Sequence, residues 1–600
     1  MAVKKKLDEN GLKTLISIIK AYVDNRLDTT AEQRYRDAMR EYFEANGSAT
    51  ATPAELTDIV DRWYMETRPD WDGYVRFYHP DVSSISNGVK GGDNTGLNCA
   101  PSTNTTAGQD NYAGNPLFAP TDCNWVMTRE GDILITAIDG IECATPFTRT
   151  DPDVFVGVLQ MTGYHWWTEL TDESDYYYEG YSAKDKSSIY TNIEPLPEAI
   201  MLDNTPISKD SRTLLEYSEY KEVGGEQVIV GRNVRSWVCH SKYMSDLTED
   251  NCMTSYSGGP SLTYVFSHNT SHTYAHNVDI KMFGETDTPK VYSGATICDN
   301  AFLILMARIK YASLTMDGII QGCVNYSWQY PVTVGEDGVK RCIITTAQAN
   351  NVLIGSNCLI GTYTTTIDRG QATAYAISGR GGAKVTGKEV YGDVDGVSCT
   401  AIYFDDMDSA FNTVANGAAT SGTTYISSFI WRTGSCDDIL GNDGSPTDPV
   451  TGREPAKLQG IEYMMGAYEV FADVILKLYQ SGDIYYYEPY IVRDVSKQAT
   501  SITNDYLATD LKIPQGTTAG WYYIKYMSYR YGVYFATQVG GSSTTYTRDA
   551  MFIWNEYAEL RQWQSYGYIT YGVGYNGITT VGIYSNITSS LWEIATIIHS

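Results

Sequence analysis

Residues 452–479 read GREPAKLQGIEYMMGAYEVFADVILKLY, and the element assigned to this stretch decides the class of the final third of the chain. From Gly460 to Tyr479 apolar side chains recur on almost every side, over a length more typical of a helix than of a strand. The pattern predicts a buried helix over Gly460–Tyr479, followed by short Tyr- and Trp-rich segments to the end. Upstream, NAFLILMARIKYASL at 300–314 is also apolar nearly all round and predicts a second core helix. Between the two, RCIITTAQ (341–348) and NNVLIGSNCLIG (350–361) read as strands within a β-rich insertion spanning 323–404. Strands and helices segregate without a βαβ rhythm, so the last third is expected to be α+β.

The middle of the chain has another texture. Residues 86–116, SNGVKGGDNTGLNCAPSTNTTAGQDNYAGNP, offer little to bury and predict a long polar loop. Short β-rich runs follow at Asp132–Ile138 and Val154–Met161, and Glu219–Val230 reads as a hairpin around Gly224-Gly225. The N-terminus is helical by pattern: Leu12, Leu15, Ile19 and Tyr22 recur at helical spacing, with Ile16 and Val23 widening the stripe. Thr30-Ala31-Glu32-Gln33 fits a capping box, and Thr52-Pro53-Ala54-Glu55 adds Pro at the first helical position. The chain is therefore expected to be multidomain: a helical attachment and oligomerisation region at 1–75, a β-rich middle domain at 76–290 and a final domain at 291–600. The N-terminal stripe suits self-association, and a trimer buries it on the symmetry axis; packing within one chain is the alternative.

Composition excludes several functions. Seventy-two acidic residues against 44 basic ones give a formal charge of -28, the opposite of a nucleic-acid footprint. No apolar run reaches the roughly 18 residues of a membrane span. The opening MAVKKKLDENGLKTLISIIK is interrupted by Asp8, Glu9 and Lys20 and leads to no small-residue cleavage site, so synthesis in a cytoplasm without export is expected. Eleven cysteines lie scattered without CxxC pairs and are expected to be free, buried thiols.

Catalytic and metal motifs are sparse. GxSxG, Walker A and HExxH are absent. Asp405, Asp406 and Asp408, and the run Asp438–Asp448, both miss the EF-hand spacing. In HNTSHTYAH, His268, His272 and His276 stand four apart, which aligns them on a helix or strand, yet their polar neighbours fit a strand or loop with no acidic or Cys partner. No enzyme activity, cofactor or metal is expected.

The stretch 452–479 resembles the GIENLWGNVWEWVD motif of variable proteins diversified by retroelements, which share the C-type lectin fold of formylglycine-generating enzymes. Gly460, Ile461, Glu462, Gly466 and Asp473 match in register, and Glu469 stands one residue from the family's Glu. The ending LRQWQSYGYI…GYNG…SSLWEIATIIHS resembles that family's variable region, with Leu560, Arg561, Trp563, Gly567, Gly572, Gly577, Trp592 and Ile594 in scaffold positions; the family's closing Arg is missing. Residues 321–355 are similar to gut-phage tail proteins of this type, and LDENGLKTLISIIKAYVD to the start of many phage tail proteins. The resemblance implies a C-type-lectin-like domain over 291–600 with a variable region at 564–597.

That resemblance also gives a reason for the narrow alphabet of residues 565–592, SYGYITYGVGYNGITTVGIYSNITSSLW, which holds no Lys, Arg, Asp, Glu or Pro. Mutagenised AAY codons yield Tyr, Ser, Thr, Ile, Gly, Val, Asp or His but never Lys or Glu. A Tyr- and Gly-rich β-region shaped by packing alone is the alternative. Tyr adds contact area at low entropy cost and Ser, Thr and Asn add adaptable hydrogen bonds, as in antibody loops. The expected receptor-binding residues are Gln564, Tyr566, Tyr568, Ile569, Tyr571, Tyr575, Asn576, Thr579, Thr580, Tyr584, Asn586 and Thr588; of these, Tyr566, Tyr568, Tyr571, Tyr575, Asn576, Thr579, Tyr584 and Asn586 are expected to face mostly solvent, above buried Trp563 and Trp592. The implied function is host-cell attachment by a phage tail fibre: partners are a protein or glycan receptor and other virion tail or baseplate proteins, and the location is the virion. A virion-associated glycan depolymerase and a structural head or tail decoration protein are the alternatives.

Overall fold

The stretch 452–479 forms three strands and no helix. Ala456–Leu458 and Ile461–Tyr463 pair antiparallel as a tight hairpin, and Tyr468–Ser481 is one long strand. Gln459, Gly460, Met464 and Gly466 all have positive φ, at 51°, 76°, 52° and 110°, which no helix tolerates. At Gly466 the requirement is also steric, because a Cβ there would lie 2.6 Å from Ile569 Cγ2. Helical periodicity misled because Tyr468–Leu476 is buried on both faces, so the in–out alternation of a half-exposed strand disappears. The β-branched and aromatic content (Val470, Phe471, Val474, Ile475) carries the strand preference instead.

The computed structural model describes residues 31–170, 173–186, 189–190, 193–196, 218–223, 226–232, 234–260, 265–284, 288–363, 368–404, 406–417, 422–482, 484–514, 518–530, 532–553, 558–570, 572 and 574–599. The apolar stripe Leu12–Val23 and the onset of the capping box at Thr30 lie outside them. Helix α1 covers 31–45, and α2 covers Pro53–Glu66. The expected cap of α2 is present: Thr52 N donates to Glu55 Oε2 at 2.9 Å and Glu55 N to Thr52 Oγ1 at 3.4 Å. Its Thr57 hydroxyl accepts Ile135 N at 2.9 Å, which fixes α2 against the strand Ile133–Ile138.

The described residues are β-rich, with several sheets. One five-stranded antiparallel sheet runs Ile193–Pro195, Tyr164–Thr168, Tyr176–Ser182, Asp72–Tyr78, Val89–Gly92. A four-stranded sheet runs Trp237–Ser241, Phe155–Met161, Thr121–Met127, Ile133–Ile138. The expected strand pair forms, with Ser218–Val223 antiparallel to Glu226–Arg232; Gly224 and Gly225 lie outside the described residues. The largest sheet has ten strands; its centre is Tyr468–Ser481 flanked by Ile484–Ile491 and Leu560–Ser565. Within the 323–404 segment and just beyond it, Asn357–Tyr363 pairs with Thr423–Ser428, and Arg341–Thr345 with Val397–Tyr403.

Two longer helices pack among these sheets. The three-histidine run, expected to be strand or loop, is helix α3 (His268–Phe283), capped by Ser267. Helix α4 (Ile297–Tyr311) is the expected core helix, buried along Ile297–Lys310. Its first amide is held from afar: Ile297 N donates to Asp473 Oδ1 at 2.8 Å, which brings a carboxylate to the positive end of the helix.

Residues 86–116 are not a solvated loop. Val89–Gly92 pairs with Asp72–Tyr78, Cys99–Ala100 pairs with Gln109–Asp110, and Asn94, Tyr112 and Ala113 are buried. The polar residues satisfy the carbonyl end of α4. Asn94 Nδ2 donates to Ile309 O at 3.0 Å, and Tyr112 OH donates to Asn94 Oδ1 at 2.6 Å. One hydrophobic cluster extends from Met39 to Ile598, and a second is built mainly from 323–431 and joined by Met465, Ile569 and Ala595.

Candidate functional site

The ending of the chain is woven into the large sheet. Val581–Gly582 pairs antiparallel with Leu560–Ser565 and parallel with Ala550–Ile553, while Ile594–Ala595 runs parallel to the start of Tyr468–Ser481. Much of the expected contact set is therefore interior. Gln564, Ile569, Asn576, Thr579 and Thr580 are buried, as are Tyr566 at 1% exposure and Tyr568 at 8%. This corrects the expectation that Tyr566, Tyr568, Asn576 and Thr579 face solvent. Tyr575, Asn586 and Thr588 are exposed and Tyr584 is half-buried; Tyr571 lies outside the described residues. Trp563 is buried as expected, whereas Trp592 is only half-buried.

Asn576, Thr579 and Thr580 each have a structural task. Asp549 Oδ2 accepts both Thr579 N (2.9 Å) and Thr579 Oγ1 (2.6 Å). Thr580 Oγ1 accepts Gly577 N at 2.8 Å and donates to Tyr575 O at 3.0 Å. Asn576 Nδ2 donates to Gly572 O at 3.1 Å. The glycines make room for this packing: a Cβ at Gly577 would lie 2.2 Å from Asp549 Oδ1, and one at Gly567 2.3 Å from Asn576 Oδ1. Short hydroxyl and amide side chains here replace the ladder bonds that an irregular buried segment lacks. Tyr566, at φ 70°, packs its ring 5.7 Å from Tyr463, and burial pushes its hydroxyl pKa far up.

A ribbon of aromatic rings leads from the surface at Tyr575 into the interior. Tyr575 is 37% exposed, and its ring lies 5.6 Å from both Trp521 and Tyr523, within 25° of each plane. Trp521 then meets Phe552 edge-on at 5.1 Å, and Phe552 meets Tyr584 at 5.3 Å. Tyr584 contacts buried Tyr468, which contacts Tyr568, which meets Trp592 at 5.6 Å and 82°. At the far end the Arg369 guanidinium lies 5.3 Å from the Trp592 ring centre. The strand Gly520–Arg530 supplies Trp521 and Tyr523 from one face. These two residues escaped the sequence reading because they lie outside the 565–592 alphabet; only a strand assignment with i, i+2 aromatics would have found them.

Three polar clusters lie elsewhere. Cys99, Asp110 and Asp443 converge closely enough to suggest a cation site. That position is filled by a lysine: Lys310 Nζ sits 2.7 Å from Asp443 and 3.0 Å from Asp110, and donates to Gln459 Oε1 at 2.7 Å. Asp299 is bracketed by His240 Nδ1 at 3.0 Å and His599 Nδ1 at 3.3 Å. Burial alone would raise Asp299, yet the two imidazoles outweigh it and hold it below the usual carboxylate range. Glu179 accepts Arg308 at 3.0 Å, sits 3.1 Å from His165 Nε2 and also accepts the Tyr534 hydroxyl. These partners offset burial and hold Glu179 at about 2. Each cluster is closed over by core residues and reads as structural.

The aligned histidines do not form a triad. His268 and His272 are buried with rings 4.7 Å apart, and burial lowers His268 to about 4, while His276 Nδ1 instead pairs with Asp279 at 3.1 Å. Asp406 pairs with Arg432 at 2.9 Å, and Asp405 lies outside the described residues. All eleven cysteines are free thiols. Cys123 and Cys239 approach to 3.6 Å between sulfurs, but they sit on strands that flank Phe155–Met161. Two strand spacings separate their backbones, too far for a disulfide. No helix among the described residues is long and apolar enough to cross a membrane. No protein-family model matches the chain, and no curated protein matches its sequence.

Proposed function

We propose that the chain is a bacteriophage attachment protein, a tail-fibre or surface-fibre component whose C-terminal C-type-lectin-like domain contacts a receptor on the host cell. The observation that carries this reading is the split within residues 565–592. Gln564, Asn576, Thr579 and Thr580 are consumed by internal packing, while Tyr575, Asn586, Thr588 and half-buried Tyr584 emerge beside the half-buried rings of Trp521, Tyr523 and Phe552. A rigid interior carrying a few aromatic and short polar tips is the economy of a recognition surface: large contact area with little side-chain entropy to lose. Variation is tolerable at those tips and costly below them, so diversification would be confined to them.

In this reading residues 1–75 attach the chain to other tail or baseplate proteins and assemble it, as a trimer. Three weak sites on a trimer, repeated over a virion, raise avidity by roughly 10²–10⁴ without new contacts. The chain acts by binding and needs no cofactor. The test is competition: host cells pre-incubated with purified full chain should adsorb fewer virions of the phage that encodes it. Unchanged adsorption at saturating protein overturns the reading.

A further inference from the structure

We propose that Lys310 and Asp443 condense into an intramolecular isopeptide bond, with Asp110 carrying the proton between them. Lys310, at the end of α4, is fully buried, and each of its three ammonium protons has an acceptor: Asp443 Oδ2 at 2.7 Å, Asp110 Oδ2 at 3.0 Å and Gln459 Oε1 at 2.7 Å. Gln459 is held in this orientation because its Nε2 donates to Phe118 O and Gln160 Oε1. A buried amine pressed against one carboxylate, with a second carboxylate in contact, is the arrangement that amide formation requires.

The two oxygens of Asp443 have different surroundings. Oδ1 accepts the Gln459 amide at 2.9 Å, a donor placed to stabilise the oxygen that gains charge when the carbon turns tetrahedral. Oδ2 accepts Lys310, the Tyr311 hydroxyl at 3.0 Å and the Cys99 thiol at 3.3 Å, so it is the oxygen supplied with protons and able to leave. Burial pushes Cys99 far above its ordinary range and keeps it a neutral thiol, no rival to the amine.

Burial alone would lower Lys310, yet the two carboxylates outweigh it and keep the side chain an ammonium. Reaction therefore starts with a proton passing from Nζ to Asp110. Burial lifts the Asp110 carboxyl to about 6 despite the pull of Lys310, close to the pH at which it must take up and release that proton. The neutral amine then adds to Cγ of Asp443. The Nζ–Cγ bond forms, the Cγ–Oδ2 bond breaks, and Oδ2 leaves as water with two of the three ammonium protons. The third stays on the amide, and Asp110 returns to its starting state. Fixed contact supplies what a free amine and carboxylate lack in water, an effective concentration of roughly 10⁵–10⁸ M. The bond would tie together the two ends of residues 311–442, the stretch that holds most of the second hydrophobic cluster.

The test is the intact mass of the purified, folded full chain after prolonged incubation at neutral pH. The expected mass is one water below that of the sequence, and proteolysis should release a branched fragment containing both Lys310 and Asp443. Asp110→Asn keeps the shape of the side chain but cannot carry the proton, and should slow the loss of water by about tenfold or more in a chain that still folds. A wild-type chain that keeps its full mass, or that loses water without joining these two residues, overturns the proposal whether or not the variant folds. A link that forms in folded Asp110→Asn at the wild-type rate also overturns it, because the proton carrier would be wrong. Host-cell adsorption plays no part in these readouts, so either result leaves the attachment reading standing.

Discussion

Asp549 holds Thr579 by two hydrogen bonds from one carboxylate oxygen, 2.9 Å to the amide and 2.6 Å to the hydroxyl. A threonine from the most surface-like stretch of the sequence thus becomes part of the interior. Removing the carboxylate strands two buried donors, each costing about 1–3 kcal/mol. Asp549→Ala should therefore destabilise the protein by about 2–4 kcal/mol, measured by urea denaturation. Gly577→Ala, which drives a methyl against the same carboxylate, should be of similar severity; a neutral result for both would mean that this loop is not packed as described.

Buried carboxyls should make stability fall as pH rises. Burial, with help from Asp437 and Asp299 respectively, raises Glu462 and Glu469 to about 8; burial first also raises Asp473, Asp549 and Glu593 to about 7. In the unfolded chain these groups titrate near 4. Between about pH 4 and 8 the folded chain holds protons that the unfolded chain has released, so stability declines across that window. Glu179 acts in the opposite sense: held at about 2, it contributes stability above about pH 4 that is lost as pH falls toward 2. The melting temperature should peak near pH 4 and be lower at pH 8, and Glu469→Gln should flatten part of that slope.

Lys310 should be indispensable to folding. Its ammonium is fully buried between Asp443 and Asp110, joining the 86–116 segment to α4 and to the hairpin at 456–463. Lys310→Met leaves two acidic groups facing each other without a cation, at a cost of about 3–5 kcal/mol. The readout is soluble yield and melting temperature, and full recovery in the triple variant Lys310→Met, Asp443→Asn, Asp110→Asn would identify charge as the cause.

Local signals were legible where they act locally. The Thr52–Glu55 cap of α2, the all-round apolar surface of α4 and the strand pair Ser218–Val223 and Glu226–Arg232 were each signalled within a few residues. The strand Tyr468–Ser481 was not legible, because burial on both faces removes the alternation that marks a strand, and the positive φ at Gln459 and Met464 is written in no residue type. Polar content misled twice for one reason. Asn94 in 86–116 and Thr580 in 565–592 look solvated, yet each satisfies buried backbone groups that only the folded chain brings near. Half of the aromatic ribbon was missed because Trp521 and Phe552 come from neighbouring strands and join Tyr575 and Tyr584 only across the sheet.

The central claim is that the exposed tips of 565–592, and not its buried residues, contact the host. The direct measurement is adsorption of labelled full chain to host cells by wild type and by the variant Tyr575→Ala, Asn586→Ala, Thr588→Ala, with melting temperature recorded alongside. These side chains are exposed, so the melting temperature should stay within about 3 °C, a shift worth well under 2 kcal/mol, while adsorption falls at least tenfold. A folded triple variant that adsorbs as well as wild type would contradict the account.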